Sequence, residues 1–178
     1  MAWEIDPSHS EAMFSVRHAM VTTVRGHFNV ISGQLHIDEQ NPANSWVDAQ
    51  ADASSINTRD EKRDGHLRSP DFFDVAQYPT ITFKSSSVEH VGGSQYRVTG
   101  DLTIHGVSKP VTFNAEYAGQ MKDAFGNQRA GISIKGKINR DDWGLSFNVP
   151  LESGGVLVSK DVNIEIDLSA INKPAPVA

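Results

Sequence analysis

The chain has 178 residues, of which 38% are hydrophobic and 21% charged, enough for one folded domain with a buried core. Sixteen Lys and Arg against 22 Asp and Glu give a formal charge of −6, which argues against a surface built to neutralise nucleic-acid phosphates. Cysteine is absent, so disulfide staples, thiolate zinc sites and cysteine nucleophiles are excluded, while the redox compartment stays open.

The first residues, MAWEIDPSHSEAMFSVRH, carry no basic segment, no long apolar run and no small-residue cleavage pattern. A cytoplasmic location is therefore expected for the chain as written, and a periplasmic one if a leader has been removed. No stretch approaches the roughly 18 continuous apolar residues of a membrane-spanning helix.

From there the recurring signal is period-2 alternation broken by turn residues, the mark of half-buried antiparallel strands. In the first run Ala12, Phe14, Val16 and His18 share one face, so His18 continues an apolar stripe. The second run changes parity between Phe28 and Leu35, and Gly33 is the expected kink. A third strand, from about Trp46 to Ile56, has a small inner face of Ala49, Ala51 and Ala53. The stretch from Thr58 to Asp74 is charged and poor in β-branched residues, and predicts one or two short helices, with Ser69-Pro70 as a helix start. Five further strands are expected around Ile81 and Phe83, Tyr96 to Ile104, Val111 to Tyr117, Ile132 to Ile138, and Val162 to Leu168. Gly92-Gly93, His105-Gly106 and Asp123 to Asn127 read as hairpin turns. Asn139 to Ser159 has no stable period and reads as a long loop, and residues 172–178 as a flexible tail. The expected fold is all-β: a single domain over 1–178, an eight-stranded antiparallel up-and-down barrel.

Such a barrel, about 28 Å tall from strand rise and tilt, is either filled by side chains or holds one slender ligand. The alanines of the third strand, with Gly100 and Gly136 in phase with apolar positions, remove volume from its interior; composition leaves the two interiors on even terms. His9, His18, His27 and His36 stand nine residues apart, but without a His-x-His pair or HExxH the spacing reads as coincidence, and no metal is expected. Arg59, Lys62, Arg63 and Arg68, with His66, make the 59–68 segment locally positive, suited either to an anionic head group or to a solvated helix face. Asp141-Asp142 beside Trp143 is the nearest thing to a carboxylate pair; no GxSxG, GxGxxG or P-loop is present, and no catalytic residue is assigned.

Read in order, the segments FSVRH, VRGHFNVISG, RDGHLRSPDFFDVAQYPTITF, LTIHGVSKPV and NRDDWGL resemble the YceI-like family of bacterial lipocalin-like proteins over nearly the whole chain. The pattern is similar to that of a thermophilic, polyisoprenoid-binding member. The resemblance implies an elongated barrel that carries or stores a long-chain isoprenoid, such as a polyprenyl pyrophosphate or an isoprenoid quinone, without a cofactor or catalysis. On that reading the head group meets His18, Arg63, His66, Arg68 and Arg140. The tail runs along Phe14, Val16, Phe28, Ala49, Ala51, Ile81, Phe83, Leu102, Ile104, Phe113, Ile132, Ile134, Trp143 and Ile164. The expected partner is an isoprenoid or related amphiphile, with no nucleic acid, no membrane span, transient membrane contact and a homodimer as the oligomer to test. Two rivals remain: an enzyme acting on a lipid pyrophosphate, and a stress-related protein with a packed, ligand-free barrel.

Overall fold

A computed structural model describes residues 3–148 and 158–172. Its strands are β1 (Trp3–Ile5), β2 (Glu11–His18), β3 (Thr22–Phe28), β4 (Ile31–His36), β5 (Trp46–Asp52), β6 (Ile56–Asn57), β7 (Thr80–Gly92), β8 (Gln95–Ile104), β9 (Val107–Lys122), β10 (Gln128–Asn139) and β11 (Asp161–Asn172). One α-helix, α1 (Glu61–Arg68), lies between β6 and β7. All strand pairs are antiparallel, in the order β1-β4-β5-β7-β8-β9-β10-β11-β2-β3-β6, and a further pairing of β1 with β11 closes the barrel. The second and third expected strands are each broken in two and β1, not expected, extends the strand begun by β2, so eleven segments build an eight-stranded barrel.

Each break has a local cause. Between β1 and β2 the Asp6 carboxylate accepts the Ser8 N–H and Pro7 opens a 3-10 turn. Between β5 and β6 Asp52 caps a second such turn over Ala53–Ser55 in the same way. Between β3 and β4 the Ser55 hydroxyl accepts the N–H groups of Asn29 and Val30, at 3.1 and 3.3 Å, drawing both out of the ladder. The parity change expected at Gly33 therefore falls at Asn29–Val30, and Val30 turns outward. Gly33 stays inside β4 because the β5 backbone presses on it: a Cβ there would lie 2.8 Å from the Ala49 Cα.

The helix also starts elsewhere than Ser69-Pro70 suggests. Asp60 is the N-cap, accepting from Lys62 and Arg63 N–H at 3.1 Å each, whereas Ser69 closes the helix by donating its N–H and hydroxyl to the His66 carbonyl. The expected hairpins at Gly92-Gly93, His105-Gly106 and 123–127 all form. The 139–159 segment opens with a 3-10 turn, Arg140–Trp143, and runs on without regular structure to Asn148; residues 149–157 and the expected tail beyond Asn172 lie outside the described residues.

Three glycines shape the interior. A Cβ on Gly26 would lie 2.5 Å from the Phe14 ring and one on Gly100 2.7 Å from the Phe83 ring, and one on Gly136 would run into the Phe113 ring. Each phenylalanine thus folds flat over a neighbouring strand instead of standing across the lumen. The volume the glycines vacate is taken by rings, and it is the centre of the barrel that is cleared.

Candidate functional site

The cleared centre is a cavity of about 310 Å³. Its lining is aliphatic and aromatic except for His18, Gln50, Thr58, Arg63, His66 and Arg140. Of the residues expected along a tail, Phe14, Val16, Phe28, Ala49, Ala51, Ile81, Phe83, Ile104, Phe113, Ile134 and Ile164 line it. Leu102 and Trp143 do not: both are buried in the core, joined by a 2.9 Å bond from the indole N–H to the Leu102 carbonyl. Ile132 lines a second chamber of about 90 Å³ instead.

At one end, called here the helix end, the polar residues are tied together. Asp64, almost fully buried, accepts the Thr58 N–H at 2.9 Å and its hydroxyl at 2.5 Å. Arg63 donates Nε–H to that hydroxyl oxygen at 2.8 Å and an Nη2–H to the Thr58 carbonyl at 2.6 Å. His66 Nε2 lies 2.9 Å from an Asp71 carboxylate oxygen, and its ring meets Phe72 and Phe147 edge-on, with centroids 5.2 and 4.8 Å away. Arg68 points away from the cavity, donating to the carbonyls of Ser54 at 3.0 Å and Ile56 at 3.2 Å. It clamps α1 to the barrel and leaves the expected head-group set.

Arg140 is only 4% exposed. It donates to the carbonyls of Ser159 at 2.9 Å, Val158 at 3.1 Å and Leu145, with the Phe72 ring centre 6.0 Å from its guanidinium carbon. Burial lowers its pKa, and the nearby Asp141 charge works in the opposite direction. His18 stands beside this group: its backbone bridges to Val158, and its ring has no hydrogen-bond partner among the described residues. Two guanidinium cations, two imidazoles and a hydroxyl thus border an apolar chamber, an arrangement that can orient a polar head while the remainder of a ligand stays dry. Asp141 pairs with Lys160 at 3.1 Å, Asp142 is exposed, and neither lines the cavity. No group of three or more His, Asp or Glu among the described residues could hold a metal.

The smaller chamber is at the opposite, far end, and Val47, Val98, Ile134 and Leu168 line both chambers, so they pinch a single lumen. The segment between β4 and β5 crosses this end and is pinned where the Tyr117 hydroxyl donates to Glu39 at 2.6 Å and the Gln120 amide donates to the same oxygen at 3.1 Å. Burial and the Glu39 carboxylate push the Tyr117 phenol pKa up.

Sequence reasoning missed Leu67, Phe72, Phe73, Leu145 and Phe147, which also line the cavity. They come from the helix and the coil segments, where no period separates inward from outward positions. The double aromatic Phe72-Phe73 in a charged stretch was the available signal. Thr58 was legible only through its bond to a buried carboxylate six residues on.

Comparison with known proteins gives one consistent answer. Residues 3–170 match the YceI-like domain. A UPF0312 protein of Staphylococcus aureus is 39% identical over 165 residues, covering 90% of this chain and 91% of its own. BcnA of Burkholderia cenocepacia superposes with a TM-score of 0.82 at 24% identity, over 93% of this chain and 98% of its own. A polyisoprenoid binding domain from Saccharophagus degradans superposes with a TM-score of 0.70 at 19% identity, over 96% and 98%. With a family match that runs through the barrel from β1 into β11, this chain belongs to the YceI-like domain family.

Proposed function

We propose that the protein binds a long-chain isoprenoid lipid, such as a polyprenyl pyrophosphate or an isoprenoid quinone, for carriage or storage and without chemistry or a cofactor. The observation that carries this reading is the 310 Å³ apolar lumen, lined along its length by the wall and bordered by His18, Arg63, His66 and Arg140 at one end only. A solid barrel would fill that space; here glycines and folded-back phenylalanines clear it. The tail lies against Phe14, Phe83, Phe113 and Ile134, and the head meets the polar border. Each methylene buried contributes about 0.8 kcal/mol, so even a partly enclosed tail is firmly retained. The likeness to a domain described as polyisoprenoid-binding supports the ligand class.

The test is the mass of the lipid released on organic extraction of the purified protein, paired with Ala51→Trp. That indole would enter the lumen, so the variant is expected to fold and to lose its lipid. An empty wild-type protein that takes up neither an added polyprenyl pyrophosphate nor an added quinone overturns the reading. Phosphate release from the pyrophosphate would replace it with an enzymatic one.

A further inference from the structure

The hairpin between β2 and β3 breaks the rule that the other turns obey. The β7–β8, β8–β9 and β9–β10 hairpins each place a glycine at positive φ: Gly93 at 53°, Gly106 at 72°, where it follows His105 at 55°, and Gly126 at 86°. In the β2–β3 turn the left-handed positions are Ala19 and Met20, at φ 51° and 64°, closed by a 3.2 Å bond from Val21 N–H to the His18 carbonyl. Two consecutive positive-φ residues are the positions where Asn-Gly is strongly favoured, and a non-glycine there stores strain. The sequence accepts that strain and gains an apolar tip: Met20 is 54% exposed and Val21 75%.

Charge around the tip is equally uneven. In a chain of net charge −6, residues 12–37 contain no Asp or Glu, yet include Arg17 and Arg25. Both arginines are exposed on the outer face of the hairpin, where Ser15 pairs with Arg25 and Arg17 with Thr23, and neither forms an ion pair among the described residues. The inner face of the same strands, through Phe14, Val16, His18 and Val24, lines the cavity. An apolar tip backed by two exposed arginines without ion pairs among the described residues, two residues beyond the polar border of the lumen, matches an anionic bilayer surface: headgroups complement the arginines and the acyl boundary takes Met20 and Val21.

We propose that the β2–β3 hairpin is a membrane-docking finger that seats the helix end of the barrel on anionic phospholipid. The proposal rests on the lipid-binding reading for its purpose, not for its test. The experiment is co-sedimentation of the full-length chain with vesicles of phosphatidylcholine alone, and of equal parts phosphatidylcholine and phosphatidylglycerol. Wild type is expected on the mixed vesicles and much less on the neutral ones. Replacing the turn by Ala19→Asn, Met20→Gly and Val21→Ser should raise thermal stability, because the strain is relieved, while abolishing sedimentation; a merely structural turn would not separate the two. Arg17→Gln with Arg25→Gln should lower partitioning by more than ten-fold, taking roughly five-fold for each charge.

Phe125, 88% exposed on the β9–β10 turn at the far end, provides the control, and Phe125→Ser should change nothing. Wild type that ignores both vesicle types overturns the proposal and leaves the tip to a protein partner. Turn variants that sediment like wild type, or loss of binding in Phe125→Ser, also overturn it. Vesicle binding by a protein whose extract holds no lipid keeps the finger and removes the isoprenoid reading.

Discussion

At the far end of the barrel β1 hydrogen-bonds to β4 on one side and to β11 on the other, and Arg129 joins Asp6 at 3.0 Å to Asp123 at 2.7 Å across the strand ends. At the helix end β3 pairs only with β2 from Thr22 to Gly26, and reaches β6 only through His27 and Phe28. Among the described residues α1 is attached there by Arg63 and Asp64 to Thr58 and by Arg68 to the carbonyls of Ser54 and Ile56. Ladder bonds and a charged clasp shut one end; among the described residues, side-chain bonds from α1 and from Arg140 hold the other. The larger chamber and its polar border are at the loosely closed end, which teaches that this barrel concentrates order away from its site.

The contrast can be broken at Arg140, a buried fixture of the helix end. Arg140→Met removes a donor from the carbonyls of Leu145, Val158 and Ser159, of which Val158 keeps the Asn148 amide at 2.7 Å, and should cost about 3–5 kcal/mol, read from the urea midpoint. A loss below about 1 kcal/mol would mean that water replaces the guanidinium and that this end is wetter than its burial implies. Within the lumen, Gly136→Ala should push the Phe113 ring inward, costing about 1–3 kcal/mol and reducing the amount of co-purifying lipid.

The clasp at the far end is tested by acid. Arg129 holds the Asp123 carboxyl down at about 2, against about 4 for an unperturbed Asp, and the Ser8 hydroxyl with Arg129 holds Asp6 low as well. Because the folded state binds these protons more weakly than the unfolded one, their contribution is complete above about pH 4. It is lost as pH falls toward about 2. Asp123→Asn should flatten the decline in stability over that window, and an unchanged acid profile would remove the clasp from the account of this end. The smallest effect is expected at Gly65, inside α1 with open space where a Cβ would stand. Gly65→Ala should stabilise the helix by about 0.5–1 kcal/mol and slow hydrogen exchange across 61–68.

Much of this was legible before any coordinates. Alternation placed the barrel, its hairpins and most of the lumen, because on a strand the parity of a position decides which face it occupies. The inward set Phe14, Val16 and His18 needed nothing more. Parity failed where it had no purchase: on α1, on Phe72 and Phe73, and in the coil after Trp143. It also could not distinguish Leu102 from Ile104, which share a face of β8, because only tertiary packing shows that Leu102 stays outside the lumen. Arg63 and Arg68 looked alike as charges five residues apart on one helix. Their separation, one bordering the cavity and the other clamped to two carbonyls, depends on the course of residues 54–58, which carries no periodic signal.

The way α1 is attached has a consequence for timing. Lifting the helix breaks a few side-chain bonds and no strand pairing, so it draws on local stability and leaves the global unfolding barrier untouched. A ligand inside could therefore leave sideways, like a blade from a hinged case, without being pulled along the full length of a sleeve. For the lipid proposed above, residence time would then follow the local opening of one short helix, and the sheet can be as heat-resistant as its ladders allow.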